Sequence, residues 1–281
     1  MLWKPKTAKT DYRPDMLPTT RMEVFWDVLS LHFGKLMLLA LVSLVCCMPL
    51  AAIEQLQDTF EISVYDERIA GNITSLQAGA VLTAYGNLLP LAESLLYIPL
   101  GLGLSGIAQV IKKLCWEEPV RLGRDLKKGI QQSGKHYCLL FLLVGMVRFA
   151  CVYAARMTPL PGILSALLLG PVAAYLSVTV AVYDLNPLQH LRYALLLLSK
   201  APLKTMGVYL VCFGGLMIRY LPNPACHFFG TLGAGLLAPI VMLGWFSFGL
   251  SRLDQDINPT RYPQLVGKGL FDPAQYWENI E

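Results

Sequence analysis

Residues 36–53 read Leu-Met-Leu-Leu-Ala-Leu-Val-Ser-Leu-Val-Cys-Cys-Met-Pro-Leu-Ala-Ala-Ile, a run without a single charge, bounded by Lys35 before it and Glu54 after it. A hydrocarbon core of about 30 Å is crossed by about 20 helical residues, so this run predicts a membrane-crossing helix. Five further runs of the same kind extend from Leu89 to Ile111, Tyr137 to Ala155, Ile163 to Tyr183, Thr205 to Ile218 and Phe229 to Leu250. The stretch from Ala80 to Ile111 carries no basic residue and as one helix would reach about 48 Å at 1.5 Å per residue. That is too long for one span, so Gly86, Asn87 and Pro90 are expected to break it and leave its first part outside. The whole chain agrees: 281 residues are 55% apolar and only 15% charged, with a mean hydropathy of +0.50. Such a composition disfavours a soluble enzyme, a disulfide-stapled secreted module and a disordered scaffold.

Lys and Arg accumulate on the cytoplasmic side of membrane proteins. Nineteen of the 23 fall on one side of the six expected spans, namely before the first and after each even-numbered one. Arg68, Arg156 and Arg219 fall on the other, and Arg148 inside the third span. Both termini are therefore expected to be cytoplasmic. The net charge of +4 reads as topology determinants at membrane borders, not as a nucleic-acid surface. The first 20 residues are polar, with Pro5, Pro14 and Pro18, and resemble no secretory signal; the first span is expected to act as the targeting signal.

The even-numbered spans share a register. Pro99, Pro171 and Pro239 each stand 13 residues before a charged residue, Lys112, Asp184 and Arg252. Each proline leaves a carbonyl one turn earlier without its amide partner and predicts a helix kink. Glu118-Pro119, Asn186-Pro187 and Asn258-Pro259 follow, a pairing suited to the start of a new helix. Thr20-Arg-Met-Glu23 is a candidate capping box. After it Met22, Phe25, Trp26, Leu29, Phe33 and Leu36 keep helical spacing, with Arg21, Glu23, Asp27 and Ser30 turned away. Leu188, Leu191, Leu195 and Leu198 form a comparable stripe, and the segment from Pro119 to Ser133 a weaker one. These surface segments end at Gly34-Lys35, Gly134-Lys135 and Pro202-Leu-Lys204. The pattern predicts an all-α fold of three helical hairpins, each led by an amphipathic helix on the cytoplasmic surface. Residues 1–19 form a polar tail, 20–250 the membrane domain with an external loop over 54–79, and 251–281 a cytoplasmic tail.

Ionisable groups inside hydrocarbon are costly and so mark candidate sites. Arg148 lies near mid-depth of the third span, and an outward-pointing arginine there reaches Glu93 and Tyr97. A structural pair and a ligand or proton site are both consistent with this placement. No metal site is expected, because His32, His136, His190 and His227 show no ligand spacing with Cys46, Cys47, Cys115, Cys138, Cys151, Cys212 or Cys226. The cysteines read as small apolar packing residues. The run Gly101-Leu-Gly103-Leu-Ser105-Gly106 reads as close helix packing. Glu54, Asp58, Glu61, Asp66 and Glu67 form an acidic external stretch, either a solvated face or a surface for a partner or cation. No cofactor is expected.

With these landmarks the chain resembles the YesL-type family of bacterial integral membrane proteins, a family of unknown function. The resemblance rests on Phe25-Trp26 followed by Lys35-Leu36 and Met48-Pro49, on Asp125-Leu-Lys-Lys-Gly, and on Tyr183-Asp184-Leu with Leu191 and Ala194. Asn258-Pro-Thr-Arg-Tyr262-Pro263 completes it. The chain departs from the family in its long connection from Glu54 to Gly79. The resemblance implies a multi-pass protein of the bacterial plasma membrane and a non-enzymatic, accessory or regulatory role beside a transport system, such as carbohydrate uptake. Its partners would be the bilayer and a transporter subunit or a second copy of itself. The alternative is a small transporter or channel with a pathway between the hairpins. An intramembrane enzyme ranks last, since no nucleophile and base can be paired.

Overall fold

The computed structural model describes residues 17–155, 160–215 and 224–271, with the side chains of residues 87, 148, 151–168 and 224 outside that description. Among the described residues every element is helical: α1 (Arg21–Leu31), α2 (Phe33–Ile69), α3 (Ser75–Cys115), α4 (Leu122–Ala155), α5 (Leu160–Val182), α6 (Pro187–Lys200), α7 (Pro202–Phe213), α8 (Pro224–Asp256) and α9 (Asn258–Arg261). A 3-10 turn, Pro263–Leu265, follows.

The expected start signals largely hold. The Glu23 amide donates to Thr20 Oγ1 at 3.3 Å and the Glu23 carboxylate accepts from the Thr20 amide at 3.2 Å, closing the capping box of α1. Thr74 and Gln77 exchange the same pair of bonds at the start of α3, at 3.2 and 2.9 Å. Pro187 opens α6 directly after Asn186. Glu118-Pro119 does not open α4, which begins three residues later at Leu122. The turn through Glu117, at φ 53°, directs Glu118 to Lys268 at 2.8 Å, and Asp125 receives the Arg121 amide at 2.7 Å instead.

Two expectations are corrected. Residues 54–79 are not an irregular loop: α2 runs unbroken to Ile69 and α3 resumes at Ser75. Nor do Gly86 and Pro90 break α3. The continuations of α2 and α3 pack along each other, with the Phe60 and Tyr85 rings 4.5 Å apart, and packing of this kind supports helix through residues that are weak helix formers alone. Pro99, Pro171 and Pro239 also lie inside helices, in α3, α5 and α8.

The three expected units are unequal. The chain breaks between α1 and α2 at His32 and between α6 and α7 at Ala201, where Pro202 follows and the two axes turn by 104°. In the middle unit α4 passes straight through Gly134-Lys135, so its surface segment and expected span are one helix.

Helices α2, α3 and α8 are each long and apolar enough to cross a membrane, and the α6–α7 pair passes the same test jointly. Only 39% of the most apolar window of α2 and 22% of that of α8 is buried inside the protein. Leucine, valine and phenylalanine facing outward on this scale suit an apolar surrounding such as lipid would provide. The main core sits at the end of the bundle bearing α1, α6 and α9, around Leu36, Ile107, Tyr175, Leu197, Trp245 and Phe246. A smaller cluster of Cys47, Leu50, Tyr97 and Leu100 lies further along α2 and α3.

Helices α3 and α4 approach backbone to backbone, as the glycine run predicts. A Cβ added at Gly101 would stand 2.8 Å from the Tyr137 carbonyl oxygen, one at Gly129 2.7 Å from that of Ser105, and one at Gly145 2.6 Å from that of Ser94.

Candidate functional site

Among the described residues a dense polar construction stands at the α1 end. Arg21, which the apolar stripe of α1 turns away from the bundle, is instead only 6% exposed, whereas Met22 and Trp26 are 66% and 59% exposed. The helix buries Val24 and Val28, spaced by four, and so rotates Arg21 inward. The guanidinium is matched there. It donates to Asp254 Oδ2 at 2.7 and 3.2 Å, to the Cys115 carbonyl at 3.2 Å and to the Lys268 carbonyl at 2.9 Å. One side chain thereby joins α1, α3, α8 and the C-terminal segment. The Phe271 amide closes the same junction by donating to the Pro18 carbonyl at 2.9 Å.

Two stretches far apart in the sequence meet beside it. The Tyr183 hydroxyl donates to Asn258 Oδ1, the Asn258 amide donates to Asp254 Oδ1 at 2.8 Å, and the Tyr183 and Tyr262 rings stack at 4.6 Å. Lys112 donates to the Ala181 carbonyl at 2.7 Å, and Lys268 sits 4.0 Å above the Trp116 ring. Gly269, at φ +83°, lets the segment lie this close: a Cβ there would meet Trp116 Cα at 2.5 Å. Asp125 pairs with Lys113 at 2.8 Å. Burial opposes ionisation of Asp125, but the Lys113 ammonium and the Arg121 amide outweigh it and hold the carboxyl below the usual carboxylate range. Backbone hydrogen bonds from Thr19 and Thr20 likewise hold Glu23 low.

The intramembrane candidates are placed only in part. Glu93 and Tyr97 lie one turn apart on α3, both buried. Arg148 belongs to α4 by its backbone, and its side chain lies outside the described residues. The close approach of Gly145 to Ser94 puts position 148 within about a turn of the level of Glu93. Beyond Pro171 and Pro239 the interior is filled by aromatic rings. Tyr175 stands 5.1 Å and Phe213 5.7 Å from Trp245, and the Tyr175 hydroxyl is bonded to Thr205 at 3.0 Å.

At the opposite end two residues of the acidic stretch turn inward onto α8: Thr231 donates to Glu54, and Asp58 contacts His227 at 3.0 Å. Among the described residues no three His, Cys, Asp or Glu side chains converge as a metal site, and Cys46, Cys47, Cys115, Cys138, Cys212 and Cys226 are free thiols. Cys151 lies outside the described side chains.

The Arg21–Asp254 junction escapes sequence reasoning because its partners are 233 positions apart. The spacing of Val24 and Val28 was the local signal for it. No family model matches the sequence, and comparison with curated proteins and with solved structures finds no match.

Proposed function

We propose that the protein is a non-enzymatic, multi-pass membrane protein that serves as a partner of a membrane transport system, docking through the α1 end. In this reading α2, α3, α4, α5, α7 and α8 cross the bilayer as three hairpins. The excess of basic residues at the α1 end supports an orientation in which that end and both termini face the bacterial cytoplasm. The observation that carries the reading is the junction of α1, α8 and the C-terminal segment through Arg21, which holds one face rigid while Met22 and Trp26 project from it. Exposed aromatic and methionine side chains on a fixed support are what a protein interface uses. The resemblance to the YesL-type family points to the same role, since its motifs supply Tyr183, Asn258 and Tyr262 of the support. The aromatic filling around Trp245 favours this reading over a pathway between the hairpins.

The test is a photo-reactive residue at position 26 in the full chain, activated in native membranes. A discrete adduct with a transporter subunit, lost on Met22→Glu, is expected. Adduct-free membranes, together with solute flux through the purified chain in vesicles, would reverse the assignment in favour of a transporter.

A further inference from the structure

Helix α4 carries its charge on one side. Arg121, in the turn before it, then Arg124, Lys128, Gln131 and Lys135 recur at alternating steps of three and four, the spacing of one helix face, and Lys127 flanks them. All six are exposed, while Asp125, Gly129, Ser133 and Tyr137, spaced by four, are buried on the opposite side. Past Lys135 the same face turns apolar within one turn, at Leu139 and then Met146, which are 57% and 42% exposed.

No acid answers these cations. Among the described residues none of the five basic side chains has an ion pair. The acids nearest in sequence are taken, Asp125 by Lys113 at 2.8 Å and Glu118 by Lys268 at 2.8 Å. Glu117 lies in the turn before the helix, in the field of Asp27 of α1.

Anionic lipid headgroups, a second copy or an acidic partner could answer such a face, and geometry separates them. Helix α4 runs unbroken from Leu122 to Ala155. Where it crosses the bilayer, the stripe therefore continues along the crossing direction instead of lying on the surface. From Arg121 to Lys135 it extends about 21 Å at 1.5 Å per residue, whereas the headgroup layer of one leaflet is about 5–8 Å thick. Headgroups reach only the Lys135 end. A second copy brings the same cations and is repelled; its acidic residues Glu61, Asp66 and Glu67 stand at the far end of α2, across the bilayer. We propose that the basic face of α4 docks an acidic helix of a partner protein, whose Asp or Glu side chains recur at the same spacing and pair with Arg124, Lys128 and Lys135. The proposal rests on the reading in which α4 crosses the bilayer, and not on docking through α1.

Photo-reactive residues at positions 131 and 143 of the full chain, activated in native membranes, test it. Position 131 is expected to give a protein adduct whose crosslinked peptide, once sequenced, carries at least three Asp or Glu at steps of three or four. Its yield should fall about tenfold when Arg124→Glu and Lys128→Glu are combined, and should weaken as salt rises. Arg192→Glu with Lys204→Glu, the same change of charge on exposed positions of α6 and α7, leaves it unchanged. Position 143 judges the crossing alone: lipid adducts are expected there, and their absence would overturn that reading, while the result at 131 decides the acidic partner. Should a variant fail to fold, a fluorescein-labelled helical peptide of Ala with Glu at steps of three and four is titrated onto the unsubstituted protein in phosphatidylcholine nanodiscs. It should raise anisotropy, and the same peptide with Lys in place of Glu should not. At position 131, adducts with lipid, nucleic acid or a second copy, a crosslinked peptide without the acidic spacing, no adduct at all, or equal loss in the two double variants would each overturn the proposal, as would equal binding of the two peptides.

Discussion

Replacing Arg21 by methionine keeps the apolar length of the side chain and removes its charge, so the substitution isolates the junction from packing. Four donated hydrogen bonds disappear, two to Asp254 and one each to the Cys115 and Lys268 carbonyls. Deleting one partner of a buried ion pair costs about 3–5 kcal/mol when the other charge is left bare. Asp254 is 14% exposed and keeps the Asn258 amide at 2.8 Å, so part of that penalty is relieved. The expected loss is about 2–3 kcal/mol. For a chain of this size that is about 3–5 °C in melting temperature, read by thermal unfolding of the full chain in detergent. Hydrogen exchange supplies a second readout: the Phe271 amide, bonded to the Pro18 carbonyl, should lose protection together with the start of α1. In a double-mutant cycle with Asp254→Ala the coupling should be at least about 1.5 kcal/mol. Additive effects, or a loss under about 0.5 kcal/mol with Phe271 still protected, would refute the idea that Arg21 holds this end together.

At the α3–α4 contact, Gly145→Ala should destabilise by about 1–3 kcal/mol because its Cβ would stand 2.6 Å from a backbone oxygen. Gly123→Ala in the same helix, with open space around it, should be neutral or stabilising in the same melt. Tyr183→Phe retains the stack on Tyr262 but strands Asn258 Oδ1, and should lower stability by about 1–3 kcal/mol by chemical denaturation. Asp125 is held below its unfolded-state value near 3.8, so its contribution is complete above that pH and is lost as pH falls through the lower folded value. Melting temperature should therefore decline below about pH 4, more steeply than in Asp125→Asn, and parallel curves would contradict the Lys113 pairing.

The helical class and the presence of helices long and apolar enough to cross a membrane were legible in runs such as residues 36–53, because the demand of hydrocarbon for unbroken, internally bonded helix acts on composition and length. Capping boxes at Thr20, the start of α6 at Pro187 and the close packing of the glycine run were legible for a similar reason: each depends on residues within one or two turns. The extent of α2 and α3 was not. Gly86 and Pro90 are breakers in isolation, and the packing of the two long arms on each other, Phe60 against Tyr85 among the contacts, lies beyond what local residues reveal. The middle surface segment misled in the same way, since Gly134-Lys135 can end a helix but is not required to.

Sequence by itself therefore determined that the chain builds long apolar helices and where many of them begin, since both rest on local hydropathy and on hydrogen bonds spanning three or four residues. Tertiary structure alone decided which face of α1 points inward, what Arg21 and Tyr183 bind, and that the His136 and His190 rings stand edge to face. Those partners lie tens to hundreds of positions apart, and the energy that pairs them exists only once the helices have packed.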